Sequence, residues 1–393
     1  MVSNILFLIA AFSTIFLSLE STITILGVNH IFLTLSNMPI LIYCCYEFFK
    51  GKNTFRDKFS QLVFFTIIIS ILTIIIKYLI NQDAIGSILR VFTIPCIMIL
   101  VLRKLQEKQK LILRKTIMLL FFLECILAII EKYLGIVFFP PLLLTENLNA
   151  GETLYSTTDT WQFRSTSLYG QPLLNAHIVT IIVTYIVTSN IKNYKKIILT
   201  SLGFIAILCF NARFATVIFI AIILPYLFHS IINNTKHKKI VGFLLISIAL
   251  ITLIYLLENF GGRLVHGEIT DSSAQTRLTT FEFYKKITFD ELIFGRMDAM
   301  SYFWHIKNFP IENGLISAIV TYGLIMTIPL FISLLTITNR LTSVYPWIAK
   351  WTILLPFWLL GLSNPNIIND HVWNIFYLCF IAFNTSKSTI IKK

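Results

Sequence analysis

The stretch SQLVFFTIIISILTIIIKYLI (Ser60–Ile80) decides the fold class. It runs for 21 residues with a single charge, Lys77. About 20 apolar residues, rising 1.5 Å each, carry a helix across the hydrocarbon of a bilayer. Comparable runs recur along the chain, at about 4–20, 29–49, 60–80, 84–102, 113–136, 172–189, 196–211, 214–232, 240–257, 313–336, 349–362 and 371–386. None alternates with period two, and no turn signals fall every ten residues, so the sequence predicts twelve transmembrane helices rather than a barrel.

Composition agrees. Mean hydropathy is +0.79 and 13% of residues are charged, against about 25% in soluble proteins. Residues 1–393 read as one all-α polytopic membrane domain. The first run, Asn4–Glu20, lacks a basic leader and a small-residue cleavage site, so it is expected to be retained. All six cysteines lie in apolar runs and read as small hydrophobes, with no disulfide framework and no C-x-x-C metal site.

The net charge of +13 reads as topology rather than as nucleic-acid binding. Basic clusters at Lys50–Lys58, Arg103–Lys115, Lys192–Lys196, Lys236–Lys239, Arg340 with Lys350, and Lys387–Lys393 hold 21 of the 32 Lys and Arg. Each follows an even-numbered span, so both termini are expected in the cytoplasm. The intervening outward loops hold 14 of the 19 acids and eight basic residues. Two outward loops are long, about 139–171 and 258–312. Within the second, AQTRLTTFEFYKKITFDELIFG (Ala274–Gly295) places Leu278, Phe281, Tyr284 and Ile287 at helical spacing, as in an amphipathic helix lying on the outer leaflet.

Cations on the outward face run against the topology rule and need a reason. Arg164 stands in FRSTSLYGQPLLNAH (Phe163–His177), just before the sixth span. Arg213 stands in NARFATVIF (Asn211–Phe219), at a tight outer turn, and Arg277 lies in the second long loop. Arginine offers a planar fork of donors matched to phosphate, so two or three gathered at one mouth would make a diphosphate site. Gly170 and Pro172 would turn the chain sharply and start the helix with a fixed φ. The plainer alternatives are that Arg164 pairs with Glu152 or Asp159, and that Arg277 snorkels from an interfacial helix. Arg263 and Arg296 read as solvated charges.

Charges also fall inside the spans. Arg90 sits in the fourth and Glu124 and Glu131 in the fifth, where an Arg90–Glu124 or Arg90–Glu131 pair is the plain expectation. Lys77, near an outer helix end, is expected to snorkel. The segment FWHIKNFPIENGLISAIVTYGLI (Phe303–Ile325) brings His305, Glu312 and Asn313 to the start of the tenth span. Glu312 there is either a helix-capping anion or a general base for a hydroxyl. The turn SNPNIINDH (Ser363–His371) adds Asp370 and His371 on the same face. No P-loop, G-x-G-x-x-G, D-x-D or H-E-x-x-H occurs, which disfavours chemistry on ATP or a nucleotide sugar.

Three features stand in order: R-x5-G-x-P entering a helix (Arg164, Gly170, Pro172), an arginine at a short outer hairpin (Arg213), and a long outer loop closing on E-N-G-L-I with Y-G-L-I after it (Glu312–Ile316, Tyr322–Ile325). Together with the topology they resemble the bacterial O-antigen polymerase and O-antigen ligase superfamily, over roughly residues 160–330. The resemblance implies a multi-pass inner-membrane glycosyltransferase opening to the periplasm, whose donor is a glycan on undecaprenyl diphosphate. By position, Arg164 and Arg213 would hold the diphosphate with Arg277 assisting, and Glu312 would activate the acceptor hydroxyl. Gly170, His305, Asn313 and Arg90 are the further candidate substrate-binding residues. No metal or other cofactor is implied, because arginines take the cation's place. Glu312 stands where the ligases have a histidine, which favours the polymerase branch of lipopolysaccharide biosynthesis. Pro172–Asn175 reads Pro-Leu-Leu-Asn where many relatives have Pro-Asn. A chain-length regulator protein is the implied protein partner, beside the bilayer itself. The alternatives are an O-antigen ligase and, from another class, a lipid-linked oligosaccharide flippase; the unequal loops favour surface chemistry over transport.

Overall fold

The computed structural model describes residues 2–17, 37–49, 57–80, 82, 85–139, 163–233, 254, 258, 280–306 and 311–384. Among these residues all regular structure is helical. The helices are α1 Val2–Phe16, α2 Met38–Phe49, α3 Lys58–Leu79, α4 Ile85–Leu102, α5 Glu107–Leu134, α6 Pro172–Thr188, α7 Asn193–Cys209 and α8 Arg213–Asn233. They continue as α9 Phe289–Phe294, α10 Ala299–His305, α11 Gly314–Tyr322, α12 Leu324–Thr342, α13 Trp347–Ser363 and α14 Asp370–Phe383. Four of them, α3, α4, α8 and α12, are long and apolar enough to cross a membrane. Shorter apolar helices are α2, α6, α13, α14 and the Asn4–Phe16 part of α1. The expected span at 240–257 lies outside the described residues apart from Ile254.

The quoted stretch explains why the bundle is built as it is. The inward stripe of α3 carries Ser60, Thr66, Ser70, Thr73 and Lys77. Its outward stripe carries exposed Phe64, Phe65, Ile68, Ile71, Leu72 and Ile75. That is inverted relative to a soluble helix and suits a lipid surround, where small and polar residues face neighbouring helices. Ser70 and Thr93 meet across α3 and α4 with hydroxyl oxygens 3.0 Å apart, and Thr66 and Thr73 return their hydroxyls to the carbonyls of Leu62 and Ile69. At the bundle centre lie α6 and α14. Every residue of α14 from His371 to Phe383 is buried, and α6 packs against α7, α13 and α14.

Three sequence expectations change here. First, the run 313–336 is not one helix. Gly323, at φ +84°, separates α11 from α12. A Cβ there would stand 2.3 Å from Ile293 O, so only glycine fits. Second, Lys77 does not snorkel. It is buried, and its Nζ donates to Phe294 O at 2.6 Å, Thr321 O at 2.8 Å and Gln82 Oε1 at 3.2 Å. Third, within the expected amphipathic helix the described residues 280–287 form a short 3-10 turn, Phe281–Lys285, followed by α9, and Leu278 lies outside the described residues. Phe281 and Tyr284 are exposed while Ile287 packs inward, because the Thr288–Glu291 capping box starts a new helix and breaks the periodicity.

Candidate functional site

Four separate segments build one small polar cavity of about 70 Å³. Its polar lining is Arg164, Asn211, Arg213, Glu312 and Asn364, and Leu173, Ala176 and Leu360 lie among its apolar walls. Each segment reaches the cavity for a local reason. Gly170 takes φ +67°, Gln171 is extended, and Pro172 opens α6, so the chain carrying Arg164 folds back over the helix start. Asn211, at φ +54°, makes the tight turn between α7 and α8. Asparagine tolerates that conformation better than other residues with a Cβ, and the turn delivers Arg213 as the first residue of α8. Ser165 N donates to Cys209 O at 3.2 Å, tying these two segments together.

Glu312 is brought in by Gly314. A Cβ on Gly314 would lie 2.2 Å from Gly361 O and 2.4 Å from Asn364 O. The bare backbone therefore presses α11 against the end of α13, whose Leu360 lines the same cavity. Asn366 Nδ2 donates to Leu173 O at 3.1 Å and links that corner to the first turn of α6. The capping role open to Glu312 falls to its neighbour: Asn313 Oδ1 accepts from Leu315 N at 3.0 Å and Ile316 N at 3.1 Å.

Arg164, Arg213 and Glu312 are each half-buried. Arg164 Nε reaches Phe210 O at 3.5 Å. Two guanidinium groups against one carboxylate favour an anion, and the partly desolvated setting strengthens that preference. Sites for whole small molecules run to several hundred Å³, so this cavity suits a compact anionic group with the rest of a ligand lying across its rim.

The remaining sequence candidates stand elsewhere. Asn313 spends its side-chain oxygen on the helix cap. Gly170 acts through its backbone. Arg90 lies on a π-helical turn, Leu89–Thr93, with Nε donating to Gly86 O at 3.1 Å; Tyr322 and Asp370 feel its charge, and it does not line the cavity. Arg277 lies outside the described residues, as do Arg263, Glu152 and Asp159. His305 ends α10, and its side chain also lies outside the described set. Arg296, read as a solvated charge, is paired: it holds Asp298 at 2.6 Å and Glu291 at 3.4 Å and lies over the Tyr302 ring at 3.7 Å.

The expected Arg90–Glu131 pair does not form. Glu131 is fully buried and faces the Arg164 segment instead, accepting from Thr166 N at 2.7 Å, Ser167 N at 2.8 Å and Phe138 N at 2.9 Å. Glu124 is also fully buried and neighbours Ser167 and Leu168 rather than Arg90. Asn211 and Asn364 were not singled out from the sequence. The signal for Asn211 was an asparagine two residues before the turn arginine, a residue type suited to positive φ. Among the described residues no three His, Cys, Asp or Glu gather as a metal site. No protein-family model matches the sequence, and no curated protein matches it.

Proposed function

We propose that this protein is an O-antigen polymerase, a bacterial inner-membrane glycosyltransferase that joins repeat units carried on undecaprenyl diphosphate. In this reading the chain crosses the membrane twelve times, keeps both termini in the cytoplasm and turns its two long loops to the periplasm. The observation that carries the reading is the convergence of Arg164, Arg213 and Glu312, from three distant segments, on one cavity.

The chemistry follows from those three side chains. Arg164 and Arg213 bind the diphosphate of the donor lipid. The Glu312 carboxylate takes the proton from an acceptor hydroxyl on a second lipid-linked repeat unit. The hydroxyl oxygen attacks the anomeric carbon of the donor sugar as the bond from that carbon to the diphosphate oxygen breaks. The electron pair passes to the diphosphate, whose added charge the two guanidinium groups offset. The products are a longer lipid-linked chain and free undecaprenyl diphosphate. A chain-length regulator protein would act on the same outer face.

Deleting the gene in its host and separating the lipopolysaccharide on a gel tests this. A polymerase null shows lipid A-core with a single repeat unit, and wild-type protein restores the ladder whereas Arg213→Ala and Glu312→Gln do not. Core with no repeat, plus accumulated lipid-linked polymer, would assign the ligase instead. Core with no repeat and no such polymer would assign a flippase.

A further inference from the structure

We propose that Glu131 is a positioning residue that aims Arg164 into the cavity, an inference that rests on the proposed function for the role of Arg164. The segment before α6 is held from one side by α5. Phe163 O accepts from Lys132 Nζ at 3.0 Å. Ser165 Oγ donates to Ala128 O at 2.6 Å. Thr166 and Ser167 give their backbone N–H groups to Glu131 Oε2, and Ser167 Oγ donates to Glu124 O at 3.2 Å. Asn175 Nδ2 closes the far side by donating to Thr166 O. Arg164 alone in this run directs its side chain the other way, to Phe210 O and the cavity.

The geometry explains why a carboxylate does this work. Ser167 takes φ +45°, and with it two successive N–H groups converge, making a concavity that binds anions. Glu131 fills it from within the protein, and its other oxygen takes Phe138 N. A carboxylate only accepts, so it suits a pocket of donors. Glutamine would set an amide NH₂ against one of those N–H groups. Turned toward Phe138 N, that NH₂ leaves Thr166 and Ser167 on a weaker, uncharged acceptor; turned the other way, it meets both of them. In either case the loop is held less firmly where its arginine points, while the packing of α6 against α14 stays intact.

Two measurements on the full-length protein in nanodiscs test this. In hydrogen exchange followed by mass spectrometry, Glu131→Gln should speed exchange across 163–171 at least about tenfold, the equivalent of one charge-assisted hydrogen bond. Peptides from α14 should be unchanged. Ser165→Ala is the gentler variant and should speed the same peptides roughly fivefold, as for a neutral hydrogen bond. Unchanged exchange at 163–171 in both variants would overturn the proposal. The second measurement is chain extension on a lipid-linked repeat unit. Glu131→Gln should slow it about tenfold in the wild-type background and less than about twofold when Arg164 is already alanine, because residues acting through one another are not additive. Equal costs in both backgrounds would mean a general structural role and would overturn the positioning role. An Arg164→Ala protein that extends chains normally, beside fast exchange in Glu131→Gln, would overturn the reading of the cavity and leave the clamp supported.

Discussion

Glu131 and Lys77 are both buried charges near the ends of long helices, and each is met mainly by backbone rather than by an opposite charge. Lys77 gives its three protons to Phe294 O, Thr321 O and Gln82 Oε1. Phe294 ends α9 and Thr321 lies in the last turn of α11, so the cation caps two helix C-termini, where the dipole favours it. Glu131 takes three N–H groups from chain segments that have no helical partners of their own. Lys77 secures a corner away from the cavity, where Gly295 and Gly323 touch backbone to backbone. Glu131 secures the segment that carries Arg164. The lesson is that a charge buried on a helix can be the partner that a loop's backbone requires, because an unpaired peptide group is costly away from water.

The contrast can be broken at several levels. The largest effect is expected at the Lys77 corner. Gly323→Val forces a Cβ into the space within 2.3 Å of Ile293 O at a positive φ, and should cost at least about 4 kcal/mol, read as loss of monodisperse protein on size exclusion. Lys77→Met strands its acceptors and should cost about 3 kcal/mol, with Glu131→Gln nearer 2 kcal/mol; thermal unfolding in detergent should rank them in that order. Arg213→Ala and Glu312→Gln sharpen the comparison from the other side. Each should cost less stability than Glu131→Gln, under about 2 kcal/mol, while lowering chain extension roughly 100-fold.

The smallest effect concerns the partly exposed pair beside the Lys77 corner. The Arg296 guanidinium, hydrogen-bonded to Asp298, holds that carboxyl below the usual carboxylate range. Its folded pKa is depressed, so its contribution is complete above the unfolded value near pH 4 and fades as pH falls through the folded value. Because Asp298 is exposed and Arg296 partly so, Arg296→Ala should change stability by less than about 1 kcal/mol at neutral pH, with the difference vanishing in acid melts.

Much of the fold was legible because length and apolarity suffice to mark a helix in lipid. Among the described residues, helices overlap eleven of the expected runs, and the twelfth lies outside them apart from Ile254. The break at Gly323 was not legible, since Y-G-L-I reads as continuous apolar sequence until the contact with Ile293 is known. Three of the residues lining the cavity, Arg164, Arg213 and Glu312, were each conspicuous alone, as arginines expected on the outward face and an acid at a helix start. Their meeting depends on close backbone approach at Gly314 and on the turns at Gly170 and Asn211, which no linear spacing reveals. The partners chosen for the intramembrane charges were wrong for the same reason. Sequence offers opposite charges as candidates and hides the backbone groups that loops present.

The most direct test of the account is binding of undecaprenyl diphosphate to the purified protein in nanodiscs. The wild type should bind saturably, and Arg164→Ala and Arg213→Ala should each lose at least about tenfold in affinity, the size of one charge-assisted contact. Equal affinity in the wild type and both variants would contradict the account.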